Sequence, residues 1–155
     1  MNEVIDSLRT FESRLLHTIE GIPDDALQRA ESDGRWSIRD VVAHLADTEL
    51  IYAARLRAIV AEENPKLMAF QQNEWVAAHA SRNIGEAIDQ FSTMRRLNLR
   101  LLERLPDDAW NRTGEHATYG PLTLREAVTK QRDHAEQHLA QIERIKSAVL
   151  TRSVA

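Results

Sequence analysis

Residues 123–142 read TLREAVTKQRDHAEQHLAQI and carry the clearest helix signal in the chain. Thr123 and Glu126 have the spacing of a capping box, in which each side chain bonds the backbone N–H of the other residue. Apolar residues then recur at helical spacing. They are Leu124, Val128, Ala135, Ile142 and Val149. The pattern predicts a long helix that begins at this box and buries one face.

Three further helices are predicted upstream. One begins at Ser37, which can cap a free backbone N–H, while Asp40 favours the positive end of the helix. The apolar residues of this helix are Val41, Leu45, Tyr52, Leu56 and Ile59. The other two run from Val4 to Ile19 and from Ile84 to Leu105, before Gly21-Ile22-Pro23 and Pro106 respectively. No segment alternates with period two for long enough to predict a strand, so we expect an all-α four-helix bundle.

Two features organise the connections. The stretch from Ala61 to Asn83 is too long for a hairpin between neighbouring helices, and it predicts a long crossover between helices 2 and 3 with some helix of its own. Residues 22–29 (IPDDALQR) resemble residues 105–112 (LPDDAWNR), and a capped helix start follows each. Either the two halves of the chain are repeated helix pairs, or the two segments use the same helix-ending sequence independently.

Composition limits the function classes. The chain has 155 residues, of which 43% are hydrophobic and 28% charged, as in one soluble globular domain over residues 1–155 that can fold without disulfides or metal. A net charge of -4 provides no basic field for nucleic acid. The absence of cysteine excludes thiolate ligands and a cysteine nucleophile. The acidic N-terminus and the lack of a long apolar run predict a cytoplasmic protein without a membrane partner.

Two histidines have a spacing with chemical meaning. His134 and His138 lie one helical turn apart, so both imidazoles can reach one metal ion, and both fall on the arc predicted to face the bundle interior. His44 lies two turns into the helix that begins at Ser37, and the bundle could bring it opposite this pair. Three neutral imidazoles would leave a divalent ion with open positions for water or substrate. The simpler alternatives are a solvated histidine pair and a hydrogen-bonded boundary histidine at His44.

Two known types of metal site do not match. A zinc protease helix has glutamate directly after its first histidine, whereas Glu136 comes two residues after His134 and turns away from the pair. Ferritin-like di-iron bundles have Glu three residues before His. Here Val41, Gln131 and Ala135 occupy those positions.

Residues 36–49 (WSIRDVVAHLADTE) and 133–142 (DHAEQHLAQI) together resemble the DinB/YfiT-like superfamily. The match spans nearly the whole chain, and the order and spacing of the two blocks make it fairly specific. The resemblance implies a four-helix bundle with a long connection between its second and third helices. It also implies a metal held by His44, His134 and His138, and all three histidines are present.

The resemblance further implies an enzyme, since relatives include bacillithiol- or mycothiol-dependent thiol transferases and a thiol-dependent maleylpyruvate isomerase. We therefore expect a metal-dependent transferase that joins a low-molecular-weight thiol to a small electrophilic substrate. Without cysteine, the chain needs that thiol as a cosubstrate. Zinc, nickel and iron all suit three imidazoles. The alternatives are a metal-dependent hydrolase and a non-catalytic helical module that dimerises or binds a small ligand; a role on DNA is discounted.

Other residues receive weaker predictions. Arg95 could contact substrate, but we expect it to snorkel outward, with Asn98 at the boundary of the core. Trp36 is expected to staple or plug the helix end. Gln141 and Asp133 could orient the imidazoles, although Asp133 is equally a solvated helix acid.

The remaining predictions concern loops and partners. His116 could border the mouth of a cleft, whereas His17 and His79 have no predicted role. The expected partner is a small-molecule substrate, with no nucleic acid. Some apolar residues could serve a homodimer contact, although scattered exposed apolar side chains are normal. They are Trp75, Trp110, Leu97 and Leu99.

Overall fold

The computed structural model describes residues 1–78 and 82–151. In chain order the elements are α1 (Asn2–Ile19), α2 (Asp24–Leu27), α3 (Ile38–Ala61), α4 (Gln72–Ala78), α5 (Ile84–Leu102), a 3-10 helix (Asp107–Asn111), β1 (Thr113–His116), β2 (Gly120–Thr123) and α6 (Leu124–Thr151). The long helices α1, α3, α5 and α6 pack on one another and confirm the four-helix bundle. None of the helices in the described ranges is long and apolar enough to cross a membrane.

Helix α3 lies at the centre of the bundle. It packs against α5 and α6, and the crossover helix α4 also contacts it. Every residue from 41 to 49 is buried, so this helix is enclosed on all sides and not only on its apolar face. The enclosure carries polar residues into the interior, among them His44, Asp47 and Glu49.

The predicted helix starts are confirmed in detail. Asp40 N–H donates to Ser37 Oγ at 3.2 Å and Ser37 N–H donates to the Asp40 carboxylate at 3.0 Å. Thr123 and Glu126 make the same reciprocal pair at 3.2 and 2.8 Å. Both boxes satisfy N–H groups that the first turn of a helix leaves without partners.

Helix α5 ends at Leu102, before the predicted end at Leu105. Its last turn tightens, because Arg104 and Leu105 donate to the carbonyls three residues back. A residue that precedes proline is disfavoured in the α conformation, and Pro106 therefore ends the helix early.

A short hairpin was not predicted. β1 and β2 pair antiparallel, and the pair Lys66 and Glu115 joins β1 to the crossover. Four residues per strand with Gly114 and Gly120 among them give no period-two pattern. The hairpin depends on tertiary packing, since a Cβ at Gly114 would lie 2.7 Å from the Leu67 side chain.

The crossover and the internal echo both appear in the structure. The connection from α3 to α5 contains α4, as expected. Pro23 and Pro106 each precede a short helix, and an antiparallel pairing and a capped helix follow in both places. The two segments thus fold alike, which favours repeated helix pairs.

A buried polar cluster joins three helices. Glu49 on α3 accepts hydrogen bonds from Arg95 at 2.7 Å, Gln131 at 2.8 Å and Asn98 at 3.2 Å. The expectation that Arg95 snorkels outward is wrong, because only 2% of it is exposed, and Asn98 is equally buried. A buried guanidinium needs a charged partner, and Glu49 supplies it.

Candidate metal centre

Three imidazoles meet between α3 and α6. His44 projects from α3, and His134 and His138 project from successive turns of α6. The Nε2 atom of His134 lies 3.1 Å from His44 Nε2 and 3.1 Å from His138 Nε2. The three ligand atoms all lie within 4.8 Å of one another. The structure therefore brings together the three histidines named from the sequence.

The donor set fits a divalent metal ion. Two metal–nitrogen bonds of about 2.0–2.1 Å that meet at about 100° span roughly 3.1 Å. The two short separations found here match that span. Imidazole nitrogens suit zinc, nickel and iron alike, so the donor set does not choose among them.

Burial keeps the imidazoles neutral. Burial, followed by the charges of His138 and His134, lowers the pKa of His44 to about 3. Burial, His138 and Arg55 lower the pKa of His134 to about 4. Burial also lowers the pKa of His138, and the bond to Gln141 partly opposes that effect. Neutral rings offer the lone pairs that a metal ion needs.

Gln141 orients one of the three rings. Its Oε1 lies 2.7 Å from His138 Nδ1, so the ring donates from Nδ1 and its Nε2 lone pair faces the other two histidines. The contact suggested for Gln141 is confirmed. Asp133 is instead a surface acid, with 51% of its side chain exposed and an ion pair to Arg132.

Aromatic rings cover one side of the centre. The centroid of Trp36 lies 4.8 Å from that of His44 and 6.1 Å from that of His138. Phe70, from the crossover, stacks on His44 at 6.1 Å, and Trp75 packs on Phe70. Trp36 is therefore part of the site and not only a helix plug. From the sequence, its place beside the Ser37 cap indicated only a staple or plug, and no sequence signal pointed to Phe70.

A cavity of about 400 Å³ adjoins the centre. His134 lies in its lining, together with Thr48 and Tyr52 from α3 and Lys130 and Gln137 from α6. His116 and Tyr119 border it from the hairpin, as predicted for His116. Sequence reasoning missed Tyr52 as a lining residue because its spacing marks it only as core. This volume is typical of a pocket for a small molecule.

Glu136 and His17 lie away from the centre. Glu136 faces α1, where it pairs with Arg14 and accepts a hydrogen bond from Ser7 at 2.8 Å. This orientation agrees with the exclusion of a zinc protease helix. His17 is exposed and lies beside Glu20. His79 lies outside the described residues.

Comparison with known proteins identifies the family of the chain. A family model described as the DinB superfamily matches residues 7–142. A protein of Oceanobacillus iheyensis with the name "putative metal-dependent hydrolase" is 27% identical over 92% of this chain and 83% of its own length. The protein YfiT of Bacillus subtilis bears the same description and is 27% identical over 89% of this chain and 79% of its own length.

Solved structures show the same fold. YfiT from Bacillus subtilis superposes with a TM-score of 0.88 at 24% identity, over 94% of this chain and 85% of that one. A mycothiol-dependent maleylpyruvate isomerase superposes with a TM-score of 0.75 at 14% identity. The match covers 91% of this chain and 60% of the isomerase, so the isomerase has a large part with no counterpart here.

Proposed function

Because the chain belongs to the DinB superfamily, we propose that it is a metal-dependent enzyme in which His44, His134 and His138 hold a divalent ion beside a substrate cavity. One observation carries the proposal: three neutral imidazoles, one buried and two half-buried, bring ligand nitrogens within 4.8 Å of one another next to a cavity of about 400 Å³. Buried imidazoles without such a role would cost free energy.

The reaction that we propose is transfer of a low-molecular-weight thiol to a small electrophile. The bound ion would supply a Lewis acid that lowers the pKa of the thiol. The sulfur would then form a bond to the electrophilic carbon, the leaving group would take the bonding electron pair, and the thiol proton would pass to solvent. The chain lacks cysteine, so both the thiol and the electrophile enter as small molecules.

Residues of the chain prepare the site for this reaction. Gln141 holds His138 in the tautomer whose Nε2 lone pair faces the centre. Trp36 and Phe70 cover His44 and keep bulk water from that side. The cavity beside His134 leaves the other side open to substrate.

Hydrolysis is the second candidate, and the names of two relatives favour it. In that reaction water takes the place of the thiol as the nucleophile, while the three histidines keep their role. The carboxylate in the cavity lining, Asp133, is paired with Arg132 at 2.6 Å and is a weak general base in that state, which favours thiol transfer because a thiol needs less help from a general base than water does.

Metal content tests the site. Native protein, dialysed against a weak chelator, should retain near-stoichiometric zinc, nickel or iron by mass spectrometry, and His138→Ala should lose it. His17→Ala is the matched control, since His17 is 87% exposed and remote from the centre. Native protein that holds no metal after exposure to these ions would refute the proposal and leave a non-catalytic binding module.

Product analysis separates the two reactions. Metal-loaded protein is incubated with a chromogenic aryl chloride and a series of small thiols, and separately with a panel of esters and amides without thiol. Consumption of the aryl chloride only when thiol is present supports transfer. Ester or amide cleavage without thiol supports hydrolysis instead.

We further propose that residues 1–155 form one domain that acts in the cytoplasm on a small molecule and not on nucleic acid. A homodimer contact through Trp110 is not supported, because Trp110 is 8% exposed and belongs to the core. Leu97 is 38% exposed and could still serve such a contact. Sedimentation analysis would decide between monomer and homodimer.

A further inference from the structure

Two cations lie at the same end of the cavity. Arg55 follows His44, Thr48 and Tyr52 at helical spacing on α3, and Lys130 lies one turn before His134 on α6. Both side chains line the cavity. Because α3 and α6 run in opposite directions here, both cations lie on the same side of the histidine centre.

Neither cation forms a salt bridge within the part of the chain that the structure describes. In residues 1–78 and 82–151 the ion pairs involve other cations. Asp133, the acid in the lining, is engaged by Arg132 at 2.6 Å. The carboxylate of Glu126, one turn before Lys130, accepts hydrogen bonds from Thr123 at 2.8 Å, and these bonds lower the pKa of Glu126 more than the charge of Lys130 does.

Both cations keep free donors. Arg55 donates from Nε and Nη2 to the Met68 carbonyl at 2.8 and 2.6 Å and shares a side-chain hydrogen bond with Tyr52, which leaves others of its five N–H donors for a ligand. Lys130 Nζ lies 3.9 Å from the centre of the Tyr119 ring, a contact that positions the ammonium without neutralising it.

His116 adds a neutral donor beside them. Its Nδ1 accepts from the backbone N–H groups of Thr118 at 3.1 Å and Tyr119 at 3.4 Å, so the ring proton is on Nε2. Burial lowers the pKa of His116, and the charges of Arg55 and Lys130, which line the same cavity, lower it further.

We propose that this end of the cavity binds the carboxylate of a small organic acid, with Arg55 and Lys130 as its counter-charges. The apolar wall formed by Leu67, Leu122 and Ala127 would hold the carbon chain. Orientation of the rest of the substrate toward His134 rests on the proposed function, whereas capture of the carboxylate does not. Charge-assisted bonds at a partly buried site give the strength that such capture needs.

Succinate is a suitable probe, and calorimetry measures its affinity for metal-loaded and metal-free protein. Arg55→Gln and Lys130→Gln should each weaken succinate binding about tenfold, the loss expected for one charge-assisted hydrogen bond. Arg96→Gln, an exposed cation on α5, is the matched control and should not change the affinity. Uncharged succinamide should bind far more weakly than succinate.

Two features keep the result clear. Arg55→Gln also removes hydrogen bonds to the Met68 carbonyl, whereas Lys130→Gln breaks no hydrogen bond to the backbone. The charge-conserving variants Arg55→Lys and Lys130→Arg should recover most of the affinity for succinate. No succinate binding by native protein, or native affinity for succinate in both glutamine variants, would overturn the inference. If native protein holds no metal but still binds succinate, and the glutamine variants bind it more weakly, the inference stands and the proposed function is refuted.

Discussion

Gln141 and Asp133 lie near the same histidine pair and have different environments. Gln141 Oε1 contacts His138 Nδ1 at 2.7 Å, whereas Asp133 faces solvent and Arg132. Both residues could be proposed from the sequence as neighbours of a histidine. Gln141 lies three residues after His138 on the same helix, and Asp133 directly precedes His134. The contact itself depends on side-chain rotamers that spacing does not determine.

Gln141→Ala should weaken metal binding roughly tenfold or more, since partners that orient ligand imidazoles contribute 10- to 100-fold to metal affinity. Competition with a coloured chelator measures the dissociation constant. Asp133→Asn is the control and should bind metal as the native protein does. Equal affinity in all three proteins would show that His138 needs no help from Gln141.

Glu49 is a residue whose removal should damage the whole bundle. It is 1% exposed and satisfies Arg95, Asn98 and Gln131 together. Glu49→Ala should lower the free energy of unfolding by about 3–5 kcal/mol, because it leaves the buried Arg95 charge without a partner. Urea denaturation checks this value, with the exposed Glu143→Ala as control. A loss below about 1 kcal/mol would contradict it.

At the scale of elements, helix starts were predictable and the hairpin was not. A capping box acts over three residues, so Ser37 and Thr123 determine their helix ends locally. β1 and β2 form because Gly114 lets the strand approach Leu67 and Ile59. That approach involves residues about fifty positions away in sequence, and no local pattern records it.

The contact between α1 and α6 should depend on pH through Glu136. Its hydrogen bonds with Arg14, and then with Ser7, hold the pKa of Glu136 below its ordinary value of 4.5. A lowered pKa means that the stabilisation is present above pH 4.5 and is lost as pH falls through the lower value. Glu136→Gln should therefore lower Tm at pH 7 by a few degrees at most, because both side chains are partly exposed.

Thermal melts at pH 7 and at pH 3 measure this effect. The Tm difference between native protein and Glu136→Gln should shrink at the lower pH, while Glu143→Gln should match native protein at both. A difference that grows on acidification would mean that the pKa of Glu136 is raised and not lowered.

At the scale of the whole molecule, metal should stabilise the fold. The ligands come from α3 and α6, so an ion that binds only the folded chain resists separation of these helices. Free metal at about 100 times its Kd should add about 2.7 kcal/mol, which corresponds to roughly 5–10 °C in Tm for a chain of this size. His44→Ala should melt at the same temperature with or without metal. Equal metal-induced shifts in both proteins would place the binding elsewhere.

Local physics let the sequence by itself determine the four helices, their two capped starts and the one-turn spacing of His134 and His138. The position of His44 on the helix that begins at Ser37 made it a candidate third ligand, and resemblance to a known family supported it. Only the tertiary structure decided that Trp36 and Phe70 enclose His44, that Arg95 is buried on Glu49, and that Arg55 and Lys130 meet at one end of the cavity. The physical reason is range: caps and helix faces depend on neighbours within a few residues, whereas these contacts join segments whose approach is determined by the packing of the entire core.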